Sequence, residues 1–188
     1  MKKVTDERPL VVLIDDDQHQ AKFVRSELKL LGFTVEAVTS CEEFEKRLAT
    51  SAWKDASLFL TDIMLPPGGK TFTDEYTYSG LRTGLVMAAA IREKFPETPI
   101  ILWSTAPFAH IAVLARDFPK QLPLSRFVPK CDGVAKIKEI YERYTKTHRL
   151  GPTIMQQIGS VLSDLGSDEE LLKKLATKLL RFYVGWQG

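Results

Sequence analysis

The sequence predicts an α/β protein, a parallel β-sheet with helices packed on both faces. Three observations lead there. Five short β-prone apolar runs alternate with helix-period segments over the first three quarters of the chain, the pattern of repeated βα units. Several runs end in a polar residue, at Asp15, Asp62, Ser104 and Lys130. The chain has 188 residues, 44% hydrophobic and 27% charged, enough for a real core.

Residues 1–9 read as a polar lead ending at Pro9. The run 10–14 (LVVLI) is a strand, followed at once by Asp15, Asp16 and Asp17. Residues 18–31 have helical spacing, with Phe23, Leu28 and Leu31 on one face and Val24 beside them, and Gly32 stops the helix. Residues 33–38 alternate like a strand. Ser40 and Glu43 form a capping box that opens a helix reaching about Thr50. The run 58–62 is the third strand and places Asp62 at its carboxyl end, the edge where open α/β sheets bind ligands. A connection over 63–79, rich in Pro, Gly, Thr and Tyr, exceeds the usual βα loop. Gly80 or Gly84 then precedes a helix running to about Phe95. Residues 99–104 form the fourth strand, 107–118 a helix of weaker pattern, 125–129 the fifth strand, and 133–146 a helix. Trp103 should face opposite to Ser104 and pack as core.

The character changes after Gly151-Pro152. Ile154, Ile158, Val161, Leu162 and Leu165 share one helical face; Gly166 and a capping box at Ser167 punctuate it; Leu172, Leu175, Leu179, Phe182 and Trp186 continue it. That is a helical hairpin with an apolar seam to bury. The domains are therefore 8–147 and a helical extension, 151–188.

Net charge is +2, so neither nucleic acid nor an anionic membrane is expected as a partner. Cys41 and Cys131 offer no disulfide framework or metal cluster. No leader is visible and no apolar run is long enough to span a bilayer, so a cytoplasmic location is expected.

In a parallel sheet the ends of the first, third, fourth and fifth strands lie side by side. Asp15, Asp16 and Asp62 would repel unless a cation joins them, and oxygen-only ligands suit Mg²⁺. So neutralised, Asp62 can act as a nucleophile toward phosphorus, with Lys130 and the Ser104 hydroxyl on phosphoryl oxygens. Each residue alone has a plainer reading: Asp17 as an N-cap, Asp62 as a loop cap, Lys130 as a surface lysine.

Taken in order on five strands, this set resembles the receiver domain of two-component response regulators over roughly residues 8–147. The resemblance implies a flavodoxin-like doubly wound sheet of order 2-1-3-4-5. It implies that Asp62 is the phosphoacceptor, that Asp15 and Asp16 hold Mg²⁺ with Asp62 and the backbone carbonyl of Met64, and that Lys130 contacts the phosphoryl group. Ser104 would be the switch hydroxyl, with Thr105 as its neighbouring alternative, and Phe127 the switch aromatic. A sensor histidine kinase or phosphotransfer protein would supply the phosphoryl group. Output would pass through a downstream protein or self-association by 151–188. The chain would be a switch and not an enzyme, at most catalysing its own phosphotransfer and dephosphorylation. Two departures stand out. Pro129 precedes Lys130 and Cys131 follows it, where the family usually has proline after the lysine, and the 66–79 loop is about ten residues longer than is usual. Two other functions compete: a pseudo-receiver acting as a phosphorylation-independent interaction module, and an aspartate-nucleophile phosphatase. The latter needs a second carboxylate two residues past the nucleophile, where this chain has Met64.

Overall fold

The strands are β1 (Leu10–Ile14), β2 (Thr34–Val38), β3 (Ala56–Asp62), β4 (Ile100–Ser104) and β5 (Ser125–Pro129). They pair in parallel in the order β2-β1-β3-β4-β5, as expected. The helices are α1 (Gln18–Leu30), α2 (Cys41–Leu48), α3 (Asp74–Thr77), α4 (Thr83–Lys94) and α5 (Val134–Thr147). This computed structural model describes residues 8–107, 111, 114, 125–149, 151, 156 and 157. The helix expected over 107–118 and the hairpin expected over 151–188 fall outside those residues, apart from isolated helical positions.

Strand alternation splits the core in two. Val12, Ile14, Phe59, Ile100, Leu102 and Phe127 pack with Phe44, Trp53 and the α4 residues Leu85, Met87 and Ile91. Val11, Leu13, Leu58, Leu60, Ile101 and Trp103 pack with Val24 and Leu28 of α1 and Ile137 and Ile140 of α5. Trp103 is thus core, on the face opposite Phe127, as strand alternation from Ser104 predicts.

The caps follow sequence signals. Asp17 Oδ1 accepts from the backbone N–H groups of His19 and Gln20 at the start of α1. Ser40 Oγ accepts from Glu43 N–H, the forward bond of the capping box, and Glu43 reaches back to Thr39 N–H, one residue before the cap. Cys41, buried at the start of α2, donates its thiol to Pro66 C=O, and burial pushes its pKa up to about 12.

One expectation needs correction. Phe23 does not face the core; it is 64% exposed. The buried stripe of α1 is Ala21, Val24 and Leu28, and Phe23 lies about 140° around the helix from Leu28. Small Ala21 takes the inward place that the larger apolar residue was expected to fill. Phe23→Lys should therefore change stability by less than about 0.5 kcal/mol, whereas Leu28→Ala should cost about 2–5 kcal/mol, both read from urea denaturation. Equal losses for the two variants would refute this burial pattern. Of the two glycines expected as candidates to precede the next helix, Gly80 lies before α4 and Gly84 is its second residue.

The long connection after β3 is ordered by contacts with α2. Glu42 accepts from Gly69 N–H, and Glu45 from the N–H groups of Lys70 and Thr71. Burial alone would raise the Glu45 pKa, but these backbone donors hold it below its ordinary value. Phe72 is buried edge-on against Phe44. The connection then forms α3 and passes through three left-handed residues, Tyr78, Ser79 and Gly80. Arg82 follows, stacked on the Tyr78 ring at 3.6 Å.

Candidate phosphoryl and metal site

Asp15 is fully buried just past β1. Its N–H donates to Val38 C=O, which carries the β1–β2 ladder one residue onward. Its Oδ1 accepts from Asp17 N–H, which aims the carboxylate along the sheet edge. Asp62 is the last residue of β3, and its side chain is 11% exposed. Its Oδ1 accepts from Ile63 N–H at 2.6 Å and Met64 N–H at 3.3 Å. Those bonds lock one oxygen and leave the other to face the cluster.

Lys130 enters from the end of β5, at the start of a 3₁₀ turn over Lys130–Asp132. No cis peptide bond occurs among the described residues, and the turn follows directly on Pro129. The Lys130 ammonium is buried and bridges Asp15 Oδ2 at 2.9 Å and Asp62 Oδ2 at 2.5 Å. It also donates to Gln20 Oε1 at 2.9 Å. Gln20 was not among the expected site residues. Its signal was its position in the first turn of the helix that follows the acidic run.

Asp15, Asp16 and Asp62 bring carboxylate oxygens within 4.8 Å of one another, with Asp16 exposed and the other two buried. Burial raises the Asp62 pKa, and Lys130 only partly offsets it. Desolvation likewise raises Asp16, with Asp15 adding repulsion. Burial alone would lower Lys130, but the Asp62 and Asp15 carboxylates outweigh it and hold the pKa above the ordinary lysine value. With all three carboxylates ionised and one lysine among them, the cluster is two charges short of neutral. A hard divalent cation fits that donor set and that deficit.

Ser104 ends β4 beside Pro129 of β5, is 1% exposed, and accepts from Ala106 N–H at 3.4 Å. Thr105, the neighbouring alternative, is exposed. Phe127 is buried in β5 opposite Leu102, three residues before Lys130.

Gly84 is what brings α4 onto this edge. Its N–H donates to Ile63 C=O, and a Cβ there would stand 1.8 Å from the Asp62 carbonyl oxygen. Thr83 Oγ1 donates to Leu65 C=O in the same junction. A spacing argument sees a helix-start glycine here; only the packing shows that its missing side chain is space taken by the Asp62 backbone.

No family model matches the chain, and no curated protein matches its sequence. Solved structures do match. A response regulator receiver protein from Sinorhizobium medicae is 20% identical with a TM-score of 0.56, covering 75% of this chain and 97% of that one. A CheY-like response regulator receiver domain protein from Methanospirillum hungatei is 17% identical with a TM-score of 0.54, covering 74% and 98%. The response regulator protein TrrA from Thermotoga maritima, solved in complex with Mg²⁺ and BeF, is 19% identical with a TM-score of 0.50, covering 72% and 97%. The fold is that of a receiver domain. Within that receiver fold, the acidic cluster and Lys130 lie at the carboxyl edge of the parallel sheet. Among the described residues no helix is long and apolar enough to cross a membrane.

Proposed function

We propose that this chain is a phosphorylation-controlled signalling switch with Asp62 as its phosphoacceptor. The observation that carries the reading is the buried Lys130 ammonium bridging Asp15 and Asp62, with Asp16 within ligand distance. Asp62 presents a carboxylate oxygen to the phosphorus of a donor. A new O–P bond forms, the bond from phosphorus to the leaving group breaks, and the leaving group keeps the electron pair. Lys130 offsets charge on the transferred group, and Ser104 supplies a hydroxyl to one of its oxygens. Asp15, Asp16, Asp62 and the Met64 backbone carbonyl would hold Mg²⁺, which when bound neutralises carboxylate and phosphoryl charge. Ser104 and Phe127 relay the change to a protein-binding surface.

The donor is a sensor histidine kinase or phosphotransfer protein in the cytoplasm, and output runs through a protein partner or self-association by 151–188. Steady-state phosphatase turnover is disfavoured because Met64 cannot act as a general acid. The pseudo-receiver reading is the outcome in which Asp62 never accepts a phosphoryl group.

Incubation with Mg²⁺ and acetyl phosphate should add the mass of one phosphoryl group to the wild-type chain and none to Asp62→Asn. Absence of the adduct across acetyl phosphate, phosphoramidate and a phosphorylated phosphotransfer protein rejects the proposal, as does equal labelling of the variant.

A further inference from the structure

The strand order leaves β5 as one edge of the sheet. Edge strands present N–H and C=O groups that invite pairing with another chain. At Phe127 this side is met by a residue of the same chain. Phe127 N–H donates to Gln157 Oε1 at 3.1 Å, and Gln157 Nε2 donates to Phe127 C=O at 3.2 Å. A primary amide carries a donor and an acceptor side by side, as a peptide group does. Gln157, in a helical turn with Gln156, thus stands in for one residue of a neighbouring strand.

After α5 ends at left-handed His148, Gly151 lies beside the guanidinium ends of Arg126 of β5 and Arg143 of α5. A Cβ at Gly151 would be 2.7 Å from Arg126 Nη1 and 3.2 Å from Arg143 Nη1. β5 itself runs directly into Lys130, whose ammonium is held between Asp15 and Asp62. One strand therefore carries the site's cation at its end and the Gln157 contact at its middle.

We infer that Gln157 is a clamp: it closes the β5 edge at Phe127, and its docking is coupled to the charge state of the acidic site. The coupling half rests on the proposed function. A charged group added at Asp62 competes for Lys130. A shift of Lys130 moves the end of β5, and the strand transmits it to the Phe127 peptide groups that Gln157 bonds. Coupling is reciprocal, so whatever loosens Gln157 also biases the site. A partner offering an extended strand to this edge would have to displace Gln157 first.

Residue-resolved hydrogen exchange on the full chain tests the clamp. In Gln157→Ala the Phe127 amide should exchange about tenfold faster, the loss of roughly one net hydrogen bond, while amides of β1 are unchanged. Unchanged exchange at Phe127 overturns the clamp. Binding of Mg²⁺ with beryllofluoride, followed by tryptophan fluorescence, tests the coupling. Gln157→Ala should bind about three- to tenfold more tightly, because the clamp belongs to the unliganded arrangement. Equal or weaker affinity overturns the coupling. No binding to either protein overturns the proposed function and the coupling together, and the clamp still stands or falls on the exchange result.

Discussion

Lys130→Ala destabilises the metal-free protein by about 3–5 kcal/mol, the cost of leaving buried charge without its partner. Asp15 and Asp62 both give an oxygen to this one ammonium, and alanine puts no cation in its place. Millimolar Mg²⁺ should recover much of the loss in the variant, because a bound cation stabilises the folded state by mass action. The wild type, whose lysine already offsets part of the charge, should gain less. The pH dependence has a definite sign. Burial already raises the Asp62 pKa while Lys130 holds it down, so removing Lys130 raises it further. The folded variant then binds more protons than the unfolded chain between the ordinary carboxylate pKa and the raised one, and stability falls as pH climbs through that window. The deficit relative to wild type is therefore smaller in mild acid than at neutral pH. Thermal denaturation of both proteins across pH, with and without Mg²⁺, measures it. A variant as stable as wild type in metal-free neutral buffer would show that the bridge is not holding the cluster together.

Gly84→Ala should cost about 3 kcal/mol, the upper part of the range for overpacking. Helix propensity alone would favour alanine by about 1 kcal/mol, so the sign rests on the clash. The obstacle is backbone: a Cβ would lie 1.8 Å from the Asp62 carbonyl oxygen and 2.8 Å from Ile63 Cα. No side-chain rotation relieves that. Either α4 backs away or the end of β3 shifts, and the N–H donors of Ile63 and Met64 that orient Asp62 shift with it. The variant should lose both thermal stability and affinity for Mg²⁺ with beryllofluoride. Gly32→Ala is the control, since its Cβ would meet nothing within 4 Å and only its positive φ is strained. A Gly84→Ala variant no less stable than Gly32→Ala, or one with unchanged ligand affinity, would show that the packing argument for Gly84 is wrong.

The framework was legible in the sequence because its signals are local. Each strand is a short apolar run closed by a polar or turn residue, and each closing residue stayed at its strand end when the sheet assembled: Asp15 just past β1, Asp62 on β3, Ser104 on β4 and Lys130 just past β5. Side-chain alternation placed Trp103 in the core for the same reason. Phe23 was misplaced because it was grouped with Leu28, from which the helix period sets it about 140° away; the packing of α1 on the sheet buries Ala21, Val24 and Leu28.

By itself, then, the sequence determined the five parallel strands, the caps at Asp17 and Ser40, and the gathering of Asp15, Asp16, Asp62, Ser104 and Lys130 at one edge. These depend on period-2 alternation, helix caps and the rule that parallel strands end together. Only the tertiary structure decided that Lys130 is shared between two carboxylates, that Gln20 joins it, that the 66–79 connection is pinned by Glu42 and Glu45, and that Gly84 makes room for the Asp62 backbone. Each of those contacts joins residues from different elements, and a one-dimensional pattern carries no term for the distance between them.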